Sequence, residues 1–156
     1  MKKYLPVLIT FTLLISCAGN RIYDQYITIP EHVWNNGNIL HFNVNISDTS
    51  DAYNIYINVR NLNQYPYSNL YLFVTAYSPD NNTERDTVEI MLADDMGNWL
   101  GKGAASIFTR VYPYKTDIRF PEQGIYKFDI EQAMRVENLR YISDIGLRIE
   151  TFEPKK

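Results

Sequence analysis

Apolar side chains recur at every second position through much of the chain. Leu40, Phe42, Val44 and Ile46 alternate with His41, Asn43 and Asn45, and Tyr53, Ile55, Ile57 and Val59 alternate with Asn54, Tyr56, Asn58 and Arg60. A period of two sends one set to a buried face and the other to an exposed face, the mark of a half-buried strand. The turn formers Ser47-Asp48-Thr49-Ser50-Asp51 between these runs predict that the two strands pair as a hairpin. Further runs bounded by Gly, Pro, Asn or Asp cover residues 70–77, 87–92, 104–112, 116–120, 124–130 and 145–151. The pattern predicts an all-β protein: an antiparallel β-sandwich of about eight short strands with at most one short helix, placed over residues 131–138. No helix–strand alternation supports a parallel sheet.

The N-terminus breaks the pattern. Met1-Lys2-Lys3 is followed by an apolar run from Tyr4 to Ile15, the layout of a secretory signal. A permanent membrane span needs about 20 helical residues, and this run is too short for one. Leu14-Ile15-Ser16-Cys17 reads as a bacterial lipobox, which assigns Cys17 as the lipid-attachment residue. Cys17 is the only cysteine, so no intrachain disulfide is available in an oxidising compartment. The expected organisation is a signal peptide over residues 1–16, a lipidated tether over 17–23 and a single β-sandwich domain over 24–156. Loss of Lys2 and Lys3 with the signal takes the formal net charge from −3 to −5. That acidic balance argues against nucleic acid as a partner and against a second, electrostatic attachment to anionic lipid.

Catalytic signals are sparse. His41 occupies a polar position of an alternating strand and His32 an irregular segment, without the clustered spacing of a metal site. There is no Gly-x-Ser-x-Gly elbow. The densest group of special residues runs from Leu92 to Gly103. Asp94, Asp95 and Asn98 offer oxygen ligands for calcium, but not at the spacing of an EF-hand loop. Adjacent aspartates on a strand point to opposite faces and cannot flank one glycosidic bond. The preferred reading is a hairpin turn in which Asp95, Gly97 and Asn98 supply unusual backbone angles and Trp99 packs back across. The chain is therefore expected to be no enzyme, with no metal, no cofactor and no small-molecule substrate.

Aromatic residues make up 14% of the chain, with 13 tyrosines and 2 tryptophans. Most suit strands, but Tyr65-Pro66-Tyr67, Trp34 and Trp99 are candidates for stacking on a sugar or anchoring a protein partner. Alternation with Val59, Leu147 and Ile149 turns Arg60 and Arg148 outward, and arginine beside tyrosine is a frequent interface pairing. Arg60, Tyr65, Tyr67, Trp99 and Arg148 are thus the candidate partner-binding residues.

Several segments carry a resemblance that composition does not supply. They are Asn54-Ile55-Tyr56 through Arg60, Asn61 through Tyr67, Asn69-Leu70, Asp86-Thr87-Val88-Glu89, Leu92-Ala93-Asp94 through Gly97 with Trp99-Leu100-Gly101, Gln132-Ala133-Met134-Arg135, and Asp144 through Glu150. In this order, behind a lipobox, the chain resembles the gliding-motility lipoprotein GldH family of the Bacteroidetes. The resemblance implies a membrane-anchored lipoprotein of the gliding machinery and its associated secretion apparatus, with envelope protein partners and no enzymatic activity. Only Cys17 carries over as a functional position. Ala18-Gly19-Asn20-Arg21 lacks the acidic patch that surface-exported lipoproteins of this phylum share, which favours the periplasmic face of the outer membrane. A glycan-binding β-sandwich lipoprotein is the alternative.

Overall fold

A computed structural model describes residues 20–153. Its elements in chain order are β1 (Arg21–Thr28), a 3-10 turn (Pro30–His32), β2 (Val33–Asn35), β3 (Leu40–Ile46), β4 (Tyr53–Leu62), β5 (Asn69–Tyr77), β6 (Thr83–Met91), β7 (Lys102–Ala104), β8 (Ile107–Ile118), β9 (Gly124–Gln132), β10 (Asn138–Arg140) and β11 (Ile142–Thr151). A five-stranded sheet of order β1-β11-β4-β8-β7 faces a four-stranded sheet of order β3-β9-β5-β6, and β2 and β10 form a short ribbon. Every pairing is antiparallel.

The alternation in the sequence dictates what lies between the sheets. Ile55, Ile57, Val59, Ile145, Leu147 and Ile149 come from the larger sheet, and Leu40, Phe42, Val44, Ile46, Leu70, Leu72, Val74 and Ile130 from the smaller one; all are buried. Each such aliphatic side chain contributes ~1.5–3 kcal/mol on burial. Trp34 fills the end of this core, with its indole N–H donating to the Asn38 carbonyl at 2.8 Å.

The all-β class agrees with the sequence, but the described residues form eleven strands where about eight were expected, and the pairing differs. β3 and β4 do not form a hairpin. β3 pairs with β9 in one sheet and β4 with β11 and β8 in the other, so residues 47–52 cross from sheet to sheet. Alternation reports that a face is buried, not which strand lies alongside. The expected helix over residues 131–138 is absent: β9 runs through Gln132, and the chain then turns into β10. The expected strands 104–112 and 116–120 merge into β8, with β7 preceding it. β1 begins at Arg21, inside the stretch expected as tether, and its mixed burial and a bulge between Arg21 and Tyr23 conceal its period.

The strands give the molecule two distinct ends. At one, Thr151 N–H donates to the Asn20 carbonyl at 2.8 Å and Phe152 N–H to the Ala52 carbonyl at 2.7 Å. The loops 47–52, 78–82 and 119–123 gather there. At the other end lie the crossing 63–68, the hairpin 93–100 and the β9–β10 connection, joined by Asn63 N–H to the Ser106 carbonyl at 2.9 Å and Leu92 N–H to the Ser68 carbonyl at 2.8 Å. The 10 residues of β11 separate the ends by roughly 30 Å.

Candidate functional site

The end remote from Asn20 carries an open groove of about 450 Å³, lined by Tyr67, Asn69, Tyr71, Ala133, Met134, Arg135 and Val136. Its walls come from three segments, the first of them the crossing 63–68, which supplies Tyr67. Asn69 and Tyr71 stand at the start of β5, while residues 133–136 form the connection after β9. That connection is organised by one buried side chain. The Gln132 amide is 3% exposed and donates to the Val136 carbonyl at 2.8 Å, while its oxygen accepts the Met134 N–H at 2.9 Å. Ala133 N–H donates to the Tyr71 carbonyl at 2.8 Å, so the loop is tied to β5 as well.

Tyr67 and Tyr71 are each 37% exposed. The Tyr65 ring braces Tyr67 edge-on, with centroids 5.6 Å apart. Asn69 donates to Glu89 at 2.6 Å. The Tyr71 hydroxyl is held above its ordinary pKa by hydrogen bonding to Glu89 and by desolvation. Two phenol rings, a thioether and a guanidinium around a fixed floor form a surface of the type that dominates protein interfaces.

A second ordered surface covers the outside of the larger sheet. Arg60 lies over the Tyr26 ring at 4.1 Å and Arg148 over the Tyr56 ring at 4.5 Å. Gly146 makes the first contact possible, because a Cβ there would come within 2.8 Å of the Tyr26 ring. Glu150 lies 3.2 Å from both Arg21 and Arg148, and Asp144 lies 3.9 Å from Arg60. Each stack is worth about 0.5–2 kcal/mol depending on desolvation. The Arg60 side chain retains 40% exposure, but that of Arg148 only 16%. Arg148 is therefore mostly a part of the face and Arg60 is its accessible cation.

Trp99 pairs across the 93–99 turn with Ala93, stacks 5.8 Å from Phe108 and donates to Asn63 at 3.1 Å. Of the residues expected to bend that turn only Gly97 has a positive φ, 82°. Asp94 organises it instead, accepting the N–H groups of Asn98 at 2.8 Å and Met96 at 3.0 Å and the Asn98 amide at 3.0 Å. Those bonds, the Asn98 side chain first, hold the Asp94 carboxyl below its ordinary pKa. Its oxygens are engaged in the turn rather than directed at a cation.

Near the Asn20 end a cleft of about 240 Å³ opens between the sheets, lined by Ile55, Ala76, Ile118, Phe120, Tyr126 and Phe128. At its rim the Tyr114 hydroxyl of β8 donates to Asp86 of β6, and Lys115 pairs with Glu84 at 2.6 Å and Asp86 at 3.2 Å. The Tyr114 bond is the main cause of a lowered Asp86 pKa, while burial pushes the Tyr114 hydroxyl up. His41 Nδ1 lies 2.5 Å from the Asp129 carboxylate on the outside of the smaller sheet.

The candidate residues therefore divide. Tyr67 is exposed in the groove. Tyr65 and Trp34, at 4% and 0% exposure, are core residues and cannot touch a partner; burial pushes the Tyr65 hydroxyl pKa up, and it donates to the Asn69 carbonyl at 2.9 Å. Trp99 is half-buried and joins the turn to β8. Arg60 and Arg148 share one face, but that face belongs to the other sheet, so Arg60 and Tyr67 do not form one surface. Cys17 lies outside the described residues. Sequence reasoning missed Tyr26, Tyr56, Tyr71, Met134 and Arg135 as surface-forming residues. Met134 and Arg135 fell within the segment read as a helix, although Gln132-Ala133-Met134-Arg135 and Asn61 through Tyr67 both belong to the segments that carry the family resemblance, and they meet at this groove.

The family described as GldH lipoprotein matches residues 21–149. The chain is 36% identical over 148 residues to a gliding motility lipoprotein GldH homolog of Christiangramia forsetii, covering 90% of each chain. It is 34% identical over 151 residues to the gliding motility lipoprotein GldH of Flavobacterium johnsoniae, covering 92% of this chain and 93% of that protein. No solved structure matches.

Proposed function

The chain belongs to the GldH lipoprotein family, and from that premise we propose that it acts as a non-enzymatic interaction module of the gliding motility machinery and its associated secretion apparatus. A lipid on Cys17 anchors it to the outer membrane on the periplasmic face, and its partners are envelope proteins. The observation that carries this reading is the Tyr67–Tyr71–Met134–Arg135 groove, exposed and internally braced at the end remote from Asn20. A lipid attached three residues before Asn20 leaves that groove roughly 30 Å out, facing the space where a periplasmic partner is found. Arg60, stacked on Tyr26, offers a second contact on the larger sheet.

The glycan-binding alternative rests on Tyr67 and Tyr71 flanking Asn69, a pair of rings beside an amide. The apolar Met134 and Val136 opposite them favour a protein. The test is affinity purification of the lipidated protein from its native envelope, comparing wild type with Tyr67→Ala combined with Arg135→Glu. Loss of co-purifying envelope proteins at an unchanged melting temperature is expected. Undiminished co-purification would remove the groove from the reading, and sugar-induced shifts of the Tyr67 and Tyr71 resonances would favour the glycan.

A further inference from the structure

A backbone N–H needs an acceptor, and one such donor in the groove lacks an ordinary one. β5 and β9 stay in register as far as Leu72↔Gln132. The next residue completes half of a further step, with Ala133 N–H donating to the Tyr71 carbonyl at 2.8 Å. The reciprocal bond is not made, and the Tyr71 N–H goes instead to Met134 Sδ at 3.3 Å. A thioether sulfur is a weak acceptor, and methionine is unbranched and turns about three bonds. Met134 therefore covers this donor without fully satisfying it, and a stronger acceptor can take its place.

The charge beside this donor has one sign. Arg135 is the only charged residue lining the groove; it is exposed and forms no ion pair among the described residues. Glu89, at the margin, is committed to the groove's own residues, accepting from the Asn69 amide at 2.6 Å and from the Tyr71 hydroxyl. An under-satisfied N–H and an unpaired guanidinium in one groove suit an anion with two acceptor oxygens, because hydrogen bonds of this kind strengthen when the acceptor is ionised. A carboxylate has that form. We propose that the groove captures the C-terminal carboxylate of another polypeptide.

That the ligand is a chain end follows from where the donor sits. Beyond Tyr71 the β5–β9 ladder closes the groove, with Ala133 N–H already on the Tyr71 carbonyl and the buried Gln132 behind it. A segment whose backbone reaches the Tyr71 N–H cannot continue past it and ends there. An amino end brings an ammonium, which meets a donor and a cation. A carboxyl end brings two oxygens, one for the Tyr71 N–H and one for Arg135, as in other captures of a chain terminus by backbone donors. The last side chain then shares the groove with the Tyr67 ring and Val136, so an aliphatic residue fits it. This inference rests on the groove being a protein-docking site and names the part of the partner it takes.

The probe is the peptide acetyl-Gly-Ser-Val-Leu, with a free carboxylate or as its carboxamide, added to the full chain in phosphatidylcholine nanodiscs and followed by NMR. The carboxylate is expected to move the Tyr71 N–H resonance downfield as oxygen replaces sulfur, and to shift the Met134 methyl but not that of Met96 in the 93–99 turn. The carboxamide should bind about tenfold more weakly, and so should the carboxylate to Arg135→Gln at an unchanged melting temperature, each having lost a bond between ionised partners. Equal binding of carboxylate and carboxamide, equal binding to wild type and Arg135→Gln, or no shift at Tyr71 overturns the proposal. So does equal binding of acetyl-Gly-Asp-Val-Leu carboxamide, whose only carboxylate is internal. In native envelopes the carboxylate probe should displace the co-purifying proteins and the carboxamide should not. If Tyr67→Ala with Arg135→Glu abolishes co-purification while the probe neither binds nor displaces, the carboxylate is wrong and the docking role stands. If neither the double variant nor the probe has an effect, both fail.

Discussion

Gln132 shows how much one side chain can determine. Its amide replaces the backbone bonds that a helix over residues 131–138 would have formed, and it fixes Met134 through Val136 along the groove. Gln132→Leu keeps the volume but leaves the Val136 carbonyl and the Met134 N–H without their side-chain partner. It should cost about 1–3 kcal/mol in a urea unfolding titration, with faster amide exchange at Met134. Gln132→Glu should also destabilise at neutral pH, because a carboxylate cannot donate to the Val136 carbonyl. A loss below the error of the titration in both variants would remove Gln132 as the organiser. At this scale the sequence was only partly readable. Alternation placed Arg148 opposite Leu147 and Ile149, as found, because all three sit in a regular strand. Tyr65 and Tyr67 share the same parity, yet one is core and the other surface. They lie in the crossing between sheets, where a period of two has no meaning.

Between elements, the sandwich is fastened at its β6–β8 edges by a polar contact, Tyr114 with Asp86 and Lys115 with Glu84 and Asp86. Asp86 has a folded-state pKa below the ordinary carboxylate value of about 3.9. Its contribution to stability is therefore present above that ordinary value and is lost as pH falls through the lowered one. Tyr114→Phe removes the main cause of the shift. The variant should melt lower than wild type near pH 6, and the gap should narrow toward pH 3, as read by thermal denaturation at both. A gap independent of pH would assign the loss to packing alone. No sequence rule pointed to this contact, since Asp86 and Tyr114 are 28 residues apart and belong to different sheets. The strands themselves were legible from their period, but β3 and β4 were assigned to each other because a turn-rich loop looks alike whether it closes a hairpin or crosses to the facing sheet.

For the whole molecule, the all-β class and the family were legible in the sequence, because both depend on patterns spread over the length of the chain. The groove was not, because its walls meet only after β5 and β9 pair. Cys17→Ser should leave the melting temperature of the domain unchanged and move the protein from the membrane to the soluble fraction. Retention in membranes after a salt wash would show a second means of attachment. The course of β1 has a mechanical consequence. It starts beside Thr151, runs the length of β11 and pairs with it through Thr28. If the proposed lipid anchor holds the N-terminus while a partner grips the remote end, the tension is directed along β1 and not across it. The bonds from Arg21↔Glu150 to Thr28↔Asp144 then share the force in shear, and they must yield together instead of opening one after another from the end.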